Sequence, residues 1–186
     1  TGLLAADSTP RTFPDADHAM EWAEDRLLER LAGARPEFAE VPLEKQEICQ
    51  GLDETDLGAL RQLMTSRTYQ EGEVMVRQGD TGRELYVMSK GEAGVRLRMK
   101  DSGREIRIVT FSAGTIFGEL ALLDAAARAA TVRADSEVRC HVLAQEGFDA
   151  LSRTRPQTAI KLTGNIAREL AGRLRDLHKV ISDLEK

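Results

Sequence analysis

The sequence has 186 residues, of which 41% are apolar and 31% are charged, and its formal net charge is −5. This length suits one compact domain with an appended segment. The acidic balance argues against a general nucleic-acid surface, because neutralising phosphates requires clustered positive charge. No apolar run approaches the ~20 residues that a membrane-spanning helix needs, and no signal peptide is evident. The sequence therefore predicts a soluble chain that does not itself cross a bilayer.

The N-terminal part of the chain is predicted to be helical. Residues 15–31 place Met20, Leu27 and Leu31 at helical spacing behind a group of acids, which is typical of a helix start. A second, shorter packing helix is predicted over 54–64, where leucines recur on one side. The first residue is not methionine, which we interpret as the start of a piece of a longer protein.

Residues 68–143 have the composition of a β-sheet region. Eight glycines separate short segments rich in Val, Ile, Leu and Tyr: EVMVRQ, ELYVMS, GVRLRM, EIRIVTF, TVRA and VRCHVLA. Val95, Leu97 and Met99 alternate with basic residues, so this segment has one wet face, and the residues DSG at 101–103 predict a hairpin turn after it. Many short strands without long helices between them predict an α+β fold built on an antiparallel, jelly-roll-like β-roll with flanking helices.

A long C-terminal helix is predicted from the return of helical spacing after Gln145. Its apolar positions alternate steps of three and four and form a heptad seam: Ile160, Thr163, Ala167, Leu170, Leu174, Leu177, Ile181 and Leu184. Such a seam usually pairs with another helix, which predicts a homodimer through the C-terminal helix. The alternative is that the seam packs only on its own β-roll.

Cysteine and histidine are too sparse for a metal or redox site. Cys49 and Cys140 lie far apart without a further cysteine at ligand spacing, so two reduced, partly buried thiols are expected. Cys140 and His141 would point to opposite faces of a strand, which argues against a shared metal. Enzymes on a similar roll, such as cupins, need several histidines around a metal, and His141 alone cannot supply them. We therefore predict a binding module without catalytic residues or a metal.

The stretch FGELALLDAAARAATVRA combines a glycine, an acid and an arginine. Gly118 allows the backbone to approach a ligand closely, and the single helical turn that opens at Glu119 offers unpaired N–H groups to an anion. Arg128 supplies a fork of donors suited to phosphate oxygens, and Glu119 is an acceptor suited to a neighbouring hydroxyl. A phosphate beside a sugar hydroxyl describes a cyclic nucleotide. The alternative is that Glu119 and Arg128 pair with each other across a bend, with little net stabilisation.

The same stretch resembles the phosphate-binding cassette of cyclic-nucleotide-binding domains, such as those of the protein kinase A regulatory subunit and the bacterial catabolite activator protein. The spacing from Glu119 to Arg128, the run RAATV and the upstream frame GEVMVRQGDTGRELYVMSKGEAGV match that pattern, and the resemblance extends over about 52–180. It implies that Arg128 pairs with the cyclic phosphate and that Glu119 accepts a hydrogen bond from the ribose 2′-hydroxyl. It also implies a cradle of backbone N–H groups around Gly118, Leu120, Ala121 and Ala129.

The resemblance also bears on the base. Ala129 is the residue type of cAMP-selective members, whereas cGMP-selective members often carry threonine there, so cAMP is favoured over cGMP. Arg173 and Leu174 fall where the activator protein contacts its adenine, and Arg173 is predicted to stack on the purine. The alternative is a solvated arginine on a charged helix. The bridge DAAA at 124–127 departs from the family's usual turn. This departure predicts a different shape of the site near the sugar.

The N-terminal stretch GLLAADSTPRTFPDADHAMEWAEDRLLERL resembles the end of the STAS domain of bacterial SulP-type sulfate permeases. This resemblance implies a cytoplasmic regulatory module at the inner face of the cell membrane, attached to a transporter body. The mixed charges of the last helix show no DNA-reading element, so no nucleic-acid partner is expected. The alternatives are the ligand-sensing half of a catabolite-activator-like transcription regulator and a ligand-free structural dimerisation domain.

Three parts are expected along the chain. A helical segment and linker occupy 1–43, the cyclic-nucleotide-binding roll occupies 44–152, and a hinge with a long lid or dimerisation helix occupies 153–186. Ligand entry is expected to relax a hinge near 148–151 and to swing the C-terminal helix over the base. The ligand shifts this equilibrium only by the difference between its affinities for the closed and open forms.

Overall fold

The structure is a computed structural model that describes residues 39–99, 103–123 and 126–184, all within the unit formed by residues 38–186. The predicted helix at 15–31, the segment that resembles a STAS domain, the turn residues Asp101 and Ser102, and the first half of the bridge at 124–127 lie outside the described residues. No helix of the described part is long and apolar enough to cross a membrane.

Eight strands and four α-helices are described, preceded by two short 3-10 turns. In chain order the elements are the turns Leu43–Lys45 and Glu47–Cys49, α1 Glu54–Leu63, β1 Met64–Tyr69, β2 Val74–Val76, β3 Glu84–Lys90, β4 Glu92–Arg98, β5 Glu105–Ser112, β6 Ile116–Phe117, α2 Glu119–Leu123, β7 Thr131–Ala134, β8 Val138–Ala144, α3 Gln145–Thr154 and α4 Pro156–Leu184. All six predicted segments of the β region are strands. The sequence analysis missed β1 and β6, which carry weak or short apolar patterns.

The strands form two four-stranded antiparallel sheets, ordered β1-β8-β3-β6 and β2-β7-β4-β5. Strands β4 and β5 pair along their whole length, from Glu92 opposite Ser112 to Arg98 opposite Glu105, so the predicted hairpin is confirmed. The predicted fold class, an α+β antiparallel roll with flanking helices and a long C-terminal helix, is confirmed as well.

Strand β3 runs between two hydrophobic clusters, which explains why its central residues are buried on both faces. Leu85 and Val87 belong to the cluster that α1, α3 and α4 form with this sheet. Tyr86 and Met88 belong to the cluster between the two sheets. Successive side chains of a strand point to opposite faces, so one strand serves both clusters. Tyr86 and Val87 in the middle of β3 pair with Phe117 and Ile116 of β6, which places β3 next to β6.

Helix α1 is tied to the start of α4 by one buried carboxylate. Asp53 caps α1, because its side chain accepts a hydrogen bond of 2.8 Å from the backbone N–H of Asp56. The carboxylate of Asp56 accepts hydrogen bonds from Thr158, at 2.5 Å, and from Lys161, at 2.9 Å. The first turn of α4 is therefore anchored to the domain.

The two C-terminal helices meet at a break at Arg155, within the segment 153–186 that was predicted to hold a hinge and a long helix, and the hinge movement near 148–151 stays a prediction. The predicted hinge near 148–151 lies inside α3, and Leu151 is fully buried there. Regular helix ends instead at Arg155, whose φ of −142° and ψ of 69° are not helical. The physical reason is Pro156, because a residue before proline is disfavoured in the helical region.

Helix α4 packs on the domain mainly through residues one position away from the predicted seam, together with Leu170 of the seam itself. Ala159, Leu162 and Ile166 are buried in the helical cluster. Ile160 and Leu174 of the seam are 63% and 56% exposed. At these two positions the seam does not pack on its own roll, and the homodimer stays a prediction.

Both cysteines are free and buried, as expected. Burial raises the pKa of Cys49 to about 11 and that of Cys140 to about 12. Because the thiolate is the reactive form, we expect iodoacetamide at about pH 8 to label neither thiol in the folded protein and both in denaturant. Mass spectrometry after labelling measures this. Rapid labelling of Cys140 under folding conditions would contradict the buried position.

Candidate functional site

The turn between β6 and α2 can be made only by glycine. Gly118 has a φ of +82°, which side chains with a Cβ rarely adopt. A Cβ at this position would lie 2.5 Å from Nη1 of Arg128 and 2.5 Å from the carbonyl oxygen of Glu84. The absence of a side chain therefore lets the Arg128 guanidinium pass directly against the backbone.

Arg128 is buried, with an exposed fraction of 7%, and is held in one orientation. Its Nη1 donates to the carbonyl oxygens of Glu84, at 3.0 Å, and Gly118, at 3.2 Å. Its backbone exchanges further hydrogen bonds with Gly79 and Asp80. Within the described part of the chain the guanidinium makes its hydrogen bonds through Nη1, and Nη2 and Nε have no acceptor there.

The ring of Tyr86 supports this orientation. Cζ of Arg128 lies 5.7 Å from the Tyr86 ring centroid, and the ring stacks on Phe117 with centroids 4.7 Å apart. The Tyr86 hydroxyl donates to the Glu84 carboxylate at 2.6 Å, and Arg67 donates to the same carboxylate at 2.5 Å. Burial alone would raise the pKa of Glu84, but the hydrogen bonds from Arg67 and Tyr86 bring that pKa below its ordinary value.

Glu119 presents an unpaired acceptor. It is 6% exposed, and its Oε1 lies 3.5 Å from Nη1 of Arg173. Its Oε2 is buried and has no hydrogen-bond partner among the described residues. Leaving a buried polar atom unsatisfied costs about 1–3 kcal/mol, and such atoms are rare in native structures. A donor supplied by a ligand would remove this cost.

Arg173 reaches the site from α4. Its Nη2 lies 2.6 Å from Oε1 of Glu169 and also donates to the carbonyl oxygen of Ile116. Its Cζ lies 5.3 Å from the ring centroid of Phe111. Burial raises the pKa of Glu169 above its ordinary value, and Arg173 opposes that rise. The alternative of a solvated arginine at 173 is therefore wrong, because this side chain is partly buried and paired.

Glu119, Arg128 and Arg173 line one pocket of about 160 Å³. Its polar groups come from Glu119, Arg128 and Arg173, and its apolar walls include Val76, Val95, Phe111, Phe117 and Val132. An apolar cavity with a few converging polar groups is the usual form of a small-molecule site. In the described residues no group of three or more His, Cys, Asp or Glu is placed to hold a metal ion.

The structure brings most of the predicted site residues together. Gly118, Glu119, Leu120, Arg128, Ala129 and Arg173 all line this pocket. Ala121 lies in α2, and Leu174 is exposed and is not one of the pocket's lining residues. Glu119 pairs with Arg173 and not with Arg128 in the described residues, so the predicted alternative of a Glu119–Arg128 pair is wrong.

Sequence analysis missed the supporting residues Glu84, Tyr86, Phe111 and Glu169. Glu84 and Tyr86 share one strand at two-residue spacing, and Glu169 and Arg173 share one helix at four-residue spacing. The spacing of Glu169 and Arg173 is the signal that the sequence offers, because opposite charges four residues apart on a helix are neighbours. Nothing in the sequence indicates that the pair faces β6.

The fold and the pocket define a domain that offers an arginine, an acid and apolar walls to a small anionic ligand. Residues 66–155 match the sequence model of the cyclic nucleotide-binding domain. The solved structure of the Thermus thermophilus catabolite activator protein superimposes with a TM-score of 0.64 at 28% identity, covering 75% of this chain and 63% of that one. The regulatory domain of Toxoplasma gondii PKA, solved with cAMP, gives a TM-score of 0.53 at 30% identity, covering 69% of this chain and 44% of that one.

Among curated proteins, Glutaminase 2 of Bradyrhizobium diazoefficiens is 35% identical over 164 residues, which cover 88% of this chain and 25% of that protein. The chain thus spans about a quarter of the length of the curated glutaminases that it matches. The chain contains a cyclic nucleotide-binding domain of the type found in protein kinase A regulatory subunits and the catabolite activator protein. The predicted resemblance is confirmed at this level, while the sulfate-permease context stays a prediction.

Proposed function

We propose that the domain binds a cyclic nucleotide in this pocket and acts as a regulatory module. Arg128 would hold the cyclic phosphate through Nη2 and Nε, and Oε2 of Glu119 would accept a hydrogen bond from the ribose 2′-hydroxyl. The observation that carries the proposal is the buried Oε2 of Glu119, which has no partner among the described residues and lies in the same pocket as Arg128. Backbone N–H groups around Gly118, Leu120, Ala121 and Ala129 would complete the cradle.

We propose cAMP as the preferred ligand. Ala129 lines the pocket directly after Arg128 and has no hydroxyl to meet the amino group that distinguishes guanine. The related Toxoplasma gondii domain was solved with cAMP, which supports the same class of ligand here. Arg173 and Phe111 lie together at the pocket and offer the base a cation and an aromatic face.

We infer that ligand binding is coupled to movement of α4. Arg173 on this helix touches Glu119, so a ligand that engages Glu119 changes the surroundings of the helix. The start of α4 is anchored through Thr158 and Lys161 to Asp56, so the inferred movement concerns the part of α4 beyond the buried Ile166, which carries Arg173. The exposed Ile160 and Leu174 support pairing of α4 with a second copy, which would carry the change across a homodimer.

Two hosts are candidates for the regulated activity, both with the module in the cytoplasm. The stretch FPDADHAMEWAEDRLL supports a SulP-type anion transporter at the inner face of the membrane. The match to Glutaminase 2 extends well beyond residues 66–155 and supports a glutaminase instead. Assays of glutamine hydrolysis and of sulfate transport by the natural protein that carries this sequence, with and without cAMP, distinguish the two hosts.

Calorimetric titration with cAMP, cGMP and linear 5′-AMP tests the binding proposal. We expect saturable binding of cAMP, weaker binding of cGMP and the weakest binding of 5′-AMP, whose phosphate is not held in a ring beside the 2′-hydroxyl. A ligand that binds the native state also raises Tm, which gives an independent measurement. Heat and Tm that stay unchanged at millimolar cAMP and cGMP would favour a ligand-free dimerisation domain.

A further inference from the structure

Helix α4 is attached to strand β6 by two charged side chains that grip one residue of the strand. Glu169 and Arg173 are one helical turn apart on α4. Oε1 of Glu169 accepts the backbone N–H of Ile116 at 3.3 Å, and Nη2 of Arg173 donates to the carbonyl oxygen of Ile116. Ile116 is two residues before Gly118, so this attachment lies directly beside the pocket.

Arg173 is shared between two carboxylates, and the sharing is unequal. Its Nη2 lies 2.6 Å from Oε1 of Glu169, whereas its Nη1 lies 3.5 Å from Oε1 of Glu119. The closer and stronger pair is therefore the one with Glu169. Glu119 keeps a loose contact through one oxygen, and its other oxygen is left without a partner among the described residues.

This inequality matters because a guanidinium and a carboxylate prefer to join through two parallel hydrogen bonds. If Arg173 were not held by Glu169, it could close on Glu119 and occupy both carboxylate oxygens. The oxygen that the proposed ribose hydroxyl needs would then be taken by a residue of the protein itself. In the observed position, Arg173 lies over Phe111 and also donates to the carbonyl oxygen of Ile116.

We propose that Glu169 is a positioning residue that holds Arg173 away from Glu119 and so keeps Oε2 of Glu119 available to the ribose 2′-hydroxyl. This inference rests on the proposed function of the pocket. Glu169 acts through Arg173 and need not touch the ligand. Its effect should therefore depend on the presence of both the arginine and the ligand's hydroxyl.

The test is a cycle of Glu169→Gln and Arg173→Gln, singly and together, with cAMP and 2′-deoxy-cAMP titrated into each variant. Glutamine keeps the size of the side chain at 169 and removes its charge. We expect Glu169→Gln to weaken cAMP binding about tenfold, the scale of one charge-assisted hydrogen bond. The same change should alter binding by less than about twofold with 2′-deoxy-cAMP, or with Arg173→Gln already present.

The matched control is Asp176→Asn, which removes an acid from an exposed i,i+3 pair with Lys179 farther along the same helix. We expect this variant to bind both nucleotides as the unmodified protein does. If Glu169→Gln weakens the binding of cAMP and of 2′-deoxy-cAMP equally, Glu169 has a general structural role and the proposal is overturned. The same holds if Glu169→Gln still weakens cAMP binding when Arg173→Gln is present.

A measurement without ligand separates this inference from the proposed function. The N–H of Ile116 is bonded to Glu169, so Glu169→Ala should speed hydrogen exchange at that amide by at least about tenfold, while Asp176→Ala should not. Failure of the unmodified protein to bind cAMP would refute the proposed function, and the exchange data would still report on the attachment. Unchanged exchange at Ile116 in Glu169→Ala would refute the attachment itself.

Discussion

Replacing Arg128 by leucine is expected to abolish measurable cAMP binding while the domain stays folded. The guanidinium contributes Nη2 and Nε to the proposed phosphate contact, and hydrogen bonds to a charged group are worth about 1.5–3 kcal/mol each. Loss of two such bonds corresponds to a fall in affinity of about 10² to 10⁴-fold. Isothermal titration calorimetry measures the loss, and circular dichroism measures the fold.

The substitution also removes the hydrogen bonds from Arg128 to the carbonyl oxygens of Glu84 and Gly118, so some stability will be lost. Arg128→Lys separates charge from geometry, because lysine keeps the charge and loses the planar fork. We expect this variant to bind at least about tenfold more weakly than the unmodified protein. Arg153→Leu, at an exposed position of α3, is the control and should bind normally. Undiminished cAMP affinity in a folded Arg128→Leu variant would refute the assignment of the phosphate site.

The local parts of this molecule were accessible from the sequence. The strands ELYVMS and VRCHVLA alternate or run through apolar residues, and the short motif around Gly118 and Glu119 carries its own chemistry. The helical character of α3 and α4 follows from the helical spacing after Gln145. These features are set by residues that lie close together in the sequence, within one strand or about two helical turns. The periodicity of apolar residues reports structure over that range.

The parts that were missed depend on contacts across the chain. Strand β6 is two residues long and exists because it pairs with β3, which a pattern of two residues cannot indicate. The sharing of Arg173 between Glu119 and Glu169 requires α4 to lie against β6, far away in sequence. The helical spacing after Gln145 also does not indicate the break at Arg155, which the local effect of Pro156 sets.

The arrangement also gives the pocket two kinds of preorganisation. Arg128 is fixed by backbone carbonyls and by Tyr86, so the proposed phosphate partner is in place before a ligand arrives. Glu119 is held by a side chain from α4, so the proposed ribose partner depends on where that helix lies. A ligand that uses both groups would therefore bind a fixed anchor and a movable one, and only the second can report binding to the rest of the protein.

Gly118→Ala tests the fixed anchor without replacing Arg128 or any other functional side chain of the pocket. The left-handed conformation costs a residue with a Cβ about 1–2 kcal/mol. Here the new atom would also lie 2.5 Å from both Nη1 of Arg128 and the carbonyl oxygen of Glu84, so the arginine must move. We expect a loss of more than about 2 kcal/mol in the free energy of unfolding, and a fall in cAMP affinity of at least about tenfold.

Gly114→Ala is the matched control for this variant. Gly114 also has a left-handed φ, of +99°, but nothing lies within 4 Å of a Cβ built there. This variant should therefore show the backbone cost alone, about 1–2 kcal/mol, and bind cAMP as the unmodified protein does. Denaturant unfolding and calorimetry of the two variants isolate the effect of the close approach at Gly118. Equal affinities for cAMP in both variants would mean that the contact between Gly118 and Arg128 does not set the position of the arginine.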